Sequence, residues 1–169
     1  MESIKISIDT AIALLALAVS IIALGISVYF WRRQFRPIVT AAIKTHGAGN
    51  EAIAYDLVLL NSGSIPAKDI TLKVTDESLQ RAFGTDATPD NKTRWLACFL
   101  STTQIRALHN GDHVSCSFGM TRANDSGFWK MRAQLAITIE YTGWFGKSYV
   151  QQQTLEIRDS TSFTGFMWG

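Results

Sequence analysis

The chain has 169 residues, of which 47% are hydrophobic and 18% charged, with a formal net charge of +2. Lys5, Arg32, Arg33 and Arg36 carry that excess against Glu2 and Asp9; from Pro37 onward twelve basic residues balance twelve acidic ones. About 130 residues beyond the basic stretch suffice for one domain with its own core, and a neutral domain offers no electrostatic case for nucleic acid, whose binding is dominated by phosphate neutralisation.

The first nine residues alternate, with Ile4, Ile6 and Ile8 apolar, and are too short to fold alone. Thr10 to Trp31 then runs for twenty-two residues without a charge. A helix of that length spans roughly 33 Å against a hydrocarbon core of about 30 Å. It has no polar stripe of the kind a surface helix of a soluble domain shows. The stretch predicts a single membrane-spanning helix. Within it Ala13, Ala16, Ser20, Ala23 and Ser27 recur at alternating intervals of three and four. That 3.5-residue period keeps small residues on one face, as in a helix–helix seam, so the helix is expected to contact a second copy or another membrane protein. Tyr29, Phe30 and Trp31 form an aromatic belt at one membrane interface, and Arg32, Arg33 and Arg36 form a basic collar in a linker over residues 32–37 that ends at Pro37.

The collar also predicts orientation. Positive charge flanking a span favours the cytoplasmic side, which puts the N-terminus outside and residues 38–158 in the cytoplasm at a bacterial inner membrane. Ala16-Leu17-Ala18 has the small-x-small form of a signal-peptidase site. It sits in the middle of the run, however, and the basic residues lie on the wrong side for a leader. In a cytoplasmic domain Cys98 and Cys116, the only cysteines, are expected to be reduced. The sequons at Asn91 and Asn124 are then chance matches.

From Pro37 the hydrophobic period changes to two. Residues 37–45 read as a first strand, 46–50 as a glycine-rich turn, and 51–61 as a second strand with Ile53, Tyr55, Leu57 and Leu59 on one face. After a turn at Asn61-Ser62-Gly63-Ser64, residues 69–75 alternate, with Ile70, Leu72 and Val74 inward. Residues 76–83 predict a short helix capped by Asp76 and closed by Gly84, and 85–92 an exposed loop. Residues 93–100 fit both a buried strand and a helical turn. Asn110-Gly111 is a strong hairpin signal. A two-residue turn there would put Ala107, Ile105, Thr103, Val114, Cys116 and Phe118 on an apolar face. Residues 121–130 read as a loop and 131–142 as a strand. Trp144-Phe145-Gly146 reads as a three-residue connection with Gly146 left-handed. A last strand to Arg158 has Tyr149, Leu155 and Ile157 inward, and Gln151 and Gln153 also face inward unless a bulge intervenes. An aromatic tail over 159–169 carries Phe163, Phe166, Met167 and Trp168.

Seven or eight short strands, one helical insert and no βαβ rhythm predict a mainly β fold: an antiparallel immunoglobulin-like sandwich behind one N-terminal transmembrane helix. Asn61-Ser62-Gly63-Ser64-Ile65-Pro66-Ala67-Lys68-Asp69-Ile70 resembles the N-x-G-x-x-x-A-x-x-V/I segment of bacterial immunoglobulin-like and fibronectin-like modules. Ile105 to Val114 resembles their I-x-x-L-x-x-G-x-x-V step, with Asn110 where proline is usual. The whole chain is similar to small bacterial single-pass membrane proteins with an R-R-x-x-R-P junction and one such domain. The resemblance implies a fold and no activity.

No catalytic constellation is evident. There is no G-x-S-x-G elbow and no phosphate loop. Glu140 and Glu156 fall on outward faces of neighbouring strands, as solvated carboxylates do. Cys98, His109, Asp112, His113 and Cys116 are the one metal-like cluster, but the hairpin register puts the two histidines on opposite faces and the spacing matches no common zinc module. The expectation is a non-enzymatic protein with no cofactor or metal, whose partners are the lipid bilayer and a protein, or a second copy through the helix. Trp144 and Phe145 at a loop tip, with Phe166 and Trp168 in the tail, are the candidate partner-binding residues, since exposed aromatics favour interfaces. The function that follows is a bitopic scaffold or protein-interaction module. The alternative is a membrane effector or stress-response protein whose helix oligomerises and perturbs the bilayer, with the sandwich as sensor.

Overall fold

The computed structural model describes residues 7–158. It divides at Arg36/Pro37 into an N-terminal helical unit and a β-rich unit. The tail residues Phe163, Phe166, Met167 and Trp168 and the first six residues lie outside the described residues.

Helix α1 covers Ile8–Gln34, so the arginines at 32 and 33 form its last turn. Ser7 caps it by accepting from the Thr10 N–H at 3.2 Å. Asp9 in the first turn and Arg32 and Arg33 in the last both complement the helix dipole. None of its residues is buried. At about 1.5 Å per residue the helix is long and apolar enough to cross a membrane.

The second unit consists of two antiparallel sheets. Strands β1 (Val39–Ala48), β2 (Ala52–Asn61) and β5 (His113–Arg122) form one, in the order β1-β2-β5. Strands β4 (Ile105–Leu108), β3 (Ala67–Val74), β6 (Gln134–Thr142) and β7 (Ser148–Glu156) form the other, in the order β4-β3-β6-β7. Leu57 and Leu59 of β2 share one buried core with Ile70 and Leu72 of β3, Ile137 and Ile139 of β6 and Leu155 of β7. The period-two alternation of β2, β3 and β6 is therefore that of strands with one face inward.

Several expectations change. The first strand continues to Ala48 through a bulge between Thr45 and Gly47, because the extra residue, His46, is absorbed against β2 rather than starting the turn. Helix α2 (Asp76–Ala82) is capped by Thr75, not Asp76: the Thr75 hydroxyl accepts from the Ser78 N–H at 3.3 Å. The expected loop over 85–92 holds the start of helix α3 (Pro89–Trp95), with Thr88 as cap and Pro89 at the first helical position, where its missing N–H costs nothing. Residues 93–100 take the helical alternative: α3 ends at Trp95 and a 3-10 turn follows over Ala97–Phe99.

The largest correction concerns Asn110-Gly111. The turn exists, with the Asp112 N–H donating to the His109 carbonyl at 3.2 Å. It joins no hairpin: β4 pairs with β3, and β5 pairs with β2. Of the two central residues only Gly111 has positive φ, at 75°. A type I′ hairpin needs both left-handed, so the turn is a corner between sheets. As a result Leu108 rather than Ala107 is buried, while Val114, Cys116 and Phe118 keep the inward face expected of them.

Residues 121–130 are not simply an exposed loop. Phe128 and Trp129 are fully buried, and the Trp129 indole N–H donates to the Phe118 carbonyl. Phe83 stacks on Trp129 with ring centroids 5.6 Å apart, and Phe118 lies 4.9 Å from it. Gly119 makes room for this cluster: at φ 79° a Cβ would meet Phe128 Cδ1 at 2.8 Å.

The inward glutamines need no bulge, since β6 and β7 pair without a register shift. Gln153 Oε1 accepts from the Ala41 N–H at 3.0 Å, and its Nε2 donates to the Ala41 carbonyl at 2.5 Å. A side-chain amide thus stands in for a neighbouring strand at the free edge of β1 and ties the two sheets together. Asn61 plays a similar part at one end of the domain. It is fully buried; Oδ1 accepts from the N–H groups of Ile38 (3.2 Å) and Gly63 (3.0 Å), and Nδ2 donates to the carbonyls of Ile65 (2.8 Å) and Leu108 (3.0 Å). All the capacity of the amide is used, which gives a physical reason for asparagine in that segment.

Candidate functional site

Because β4 and β5 turn away from each other at the 109–112 corner, the sheets stay parted along that side. A cleft of about 270 Å³ remains between them. Leu57, Leu59, Ile70, Leu72, Ile105 and Val114 supply its apolar walls. The segment leaving α3 contributes Ala97, Cys98 and Thr103, and β5 contributes Ser115 and Cys116. Apolar clefts with a few polar groups are the usual form of small-molecule sites.

Cys98 and Cys116 meet there. Both are free thiols, half-buried and packed against the core. A hydrogen bond from the Cys98 thiol holds Cys116 below the ordinary thiol range, opposed by burial and by the charge of Asp56. That same bond, burial and the neighbouring Cys116 charge push Cys98 well above it. Two thiolates therefore do not form side by side, since like charges oppose each other at close range. The Cys116 sulfur is the one favoured as thiolate, the reactive form of cysteine.

Of the five residues in the metal-like cluster, the structure brings together these two cysteines and leaves His109, Asp112 and His113 exposed at the corner. There Asp112 Oδ1 accepts from the His113 backbone N–H at 2.8 Å. Among the described residues no three His, Cys, Asp or Glu side chains gather as metal ligands. The inward direction of Cys116 was legible in strand alternation. Its pairing with Cys98 was not, because it depends on the helical course of residues 89–99.

The two outward glutamates are far apart. Glu140 sits opposite Val150 and Glu156 opposite Gln134, six ladder positions away, or roughly 20 Å. Glu140 instead pairs with Lys73 at 2.7 Å.

Trp144 and Phe145 lie in a 3-10 turn, Trp144–Gly146, closed by the Gly143 N–H to the Lys147 carbonyl at 2.9 Å. Gly146 is left-handed at φ 67°, as the three-residue loop requires. The Trp144 side chain is 45% exposed. Phe166 and Trp168 fall outside the described residues. On α1, the positions Ala13, Ala16, Ser20, Ala23 and Ser27 are exposed like the rest of the helix, and the Ser20 hydroxyl donates to the Ala16 carbonyl at 2.8 Å. That hydroxyl is satisfied within its own helix, so its use in a seam would be small size rather than hydrogen bonding. At the basic end, Tyr29 and Phe30 meet edge to face at 5.7 Å and Trp31 leans on Phe35 at 5.2 Å, beside Arg32, Arg33 and Arg36.

Among known proteins, the family described as "Domain of unknown function (DUF8453)" matches residues 6–160, so the match takes in both the apolar helix and the β-rich domain. No curated protein matches the chain.

Proposed function

The chain belongs to the DUF8453 family, and from that premise we propose that it is a bitopic membrane protein whose sandwich serves as a scaffold or protein-interaction module without catalytic activity. One observation carries the reading: over the 27 residues of α1 no side chain is buried, and the helix is apolar throughout its middle. Such a surface far exceeds the apolar patches that soluble monomers expose, and lipid is the environment that covers it. The arginine collar supports an N-terminus outside and a domain on the cytoplasmic face of a bacterial inner membrane.

The strand order supports the finer fold reading too. Three strands β1-β2-β5 facing four strands β4-β3-β6-β7 match an immunoglobulin-like sandwich in which the fourth strand has joined the sheet of the third, sixth and seventh. Tethering such a module raises its effective concentration beside membrane partners, and the exposed Trp144 turn is the contact proposed for one of them, with Phe145, Phe166 and Trp168.

Membranes carrying the full chain test this directly. The protein should stay in the pellet through carbonate washing, and protease should reach the domain only in inside-out vesicles. Release into the wash, or a chain shortened near Ala18, contradicts the anchor. Crosslinking from the same membranes, with and without Trp144→Ala/Phe145→Ala, tests the contact: the double variant should lose the crosslinked partner.

A further inference from the structure

Two thiols from segments that are unconnected by any sheet line the same apolar cleft. Cys98 is the middle residue of the 3-10 turn Ala97–Phe99, and Cys116 is on β5. A second contact sets their placement: Phe99, next to Cys98, meets Phe118, two residues beyond Cys116 on the same face of β5, at 6.0 Å and edge to face. The turn is thus held to the strand at two successive positions on that face. Both cysteines are only partly buried in the cleft they line, so a small reagent can reach them. No other cysteine exists in the chain to compete.

We propose that Cys98 and Cys116 form a reversible thiol–disulfide site, oxidised by a low-molecular-weight disulfide, which fastens the segment over 97–103 to β5 across the cleft. The Cys116 thiolate attacks one sulfur of the reagent RSSR, giving a Cys116–SR mixed disulfide and releasing RS⁻. The Cys98 thiol gives up its proton to that thiolate or to solvent, and its sulfur displaces the second RS⁻. Two protein thiols lose two electrons and two protons in all, and one RSSR becomes two RSH. Closing the pair to a bond of about 2.05 Å calls on the short turn that carries Cys98, since Cys116 is held opposite Leu57 in the β2–β5 ladder.

The test uses the full chain in detergent micelles and oxidised glutathione as the reagent. The expected result is the joint loss of both alkylatable thiols, an intact mass lower by two hydrogens, a Cys98–Cys116 link in the peptide map, and recovery of both thiols with dithiothreitol. Cys98→Ala and Cys116→Ala should each stop at a single glutathione adduct. Cys98→Ser and Cys116→Ser repeat the measurement if either alanine variant fails to fold. Separate glutathione adducts on both cysteines of the folded protein would overturn the proposal, as would a link between two chains in place of the internal one, or an internal link that forms only after denaturation.

Discussion

The two sides of the sandwich solve the same problem in opposite ways. Where β1 and β7 meet, Gln153 fills the space between the sheets and bonds both backbone groups of Ala41. Where β4 and β5 meet, the Asn61 amide ties only the corner at one end, through the Leu108 carbonyl, and the sheets beside it leave a cleft of about 270 Å³ lined by both cysteines. Backbone groups at a strand edge must be satisfied or solvated. On the first side a long polar side chain reaches back to do it; on the second the chain leaves the edge through a corner and covers the gap with a helical segment. The closed side is built for stability, and the open side is where a small molecule or reagent can enter.

Breaking the corner should have the largest effect. Asn61→Ala removes four hydrogen bonds at a fully buried site and leaves their backbone partners unmatched, at about 1–3 kcal/mol for each group left unsatisfied. Only the bonds to the Ile65 and Leu108 carbonyls are fully buried, so a loss of about 2–6 kcal/mol is expected in denaturant unfolding. A loss below about 1 kcal/mol would mean that water replaces the amide and the corner holds without it.

Opening the closed side comes next. Gln153→Leu keeps the volume but strands the N–H and carbonyl of Ala41, so stability should fall by about 1–3 kcal/mol. Hydrogen exchange should accelerate along β1 more than along β5. Equal acceleration on both strands would show that the amide is not a local clasp.

The thiols give a sharper and smaller readout on the open side. Cys98→Ala removes the donor that keeps the Cys116 thiol below its usual range. Burial and the Asp56 charge then act unopposed by that donor and raise it, so less thiolate exists at neutral pH. Iodoacetamide should label Cys116 roughly threefold or more slowly in Cys98→Ala than in Cys98→Ser, whose hydroxyl still donates. Matching rates would remove the hydrogen bond from the account. Val114→Leu adds a methylene into the open cleft, so it should cost less than the roughly 1–3 kcal/mol of overpacking a filled core, yet slow that labelling.

The smallest effect is expected from the helix. Ala16→Leu, Ser20→Leu and Ala23→Leu should leave the unfolding of the domain unchanged while weakening self-association in micelles. Unaltered association would retire the small-residue seam.

The residues themselves determined a good deal. An uncharged run of twenty-two residues is helical and lipid-compatible whatever follows it, and the β2, β3 and β6 alternation fixes which side chains enter a core, because both depend on near neighbours in the chain. The Gly146 turn was legible for the same reason. Tertiary structure decided what depends on distant partners. Asn110-Gly111 carries hairpin chemistry, but β4 takes the backbone edge of β3 and β5 that of β2, so the two strands go to different sheets. Phe128 and Trp129 looked like loop residues because their core partners, Phe83 and Phe118, are remote in sequence. The Gln153 clasp and the Cys98–Cys116 pair are of the same kind. Each joins segments whose meeting is set by how two sheets pack, and no local period records that.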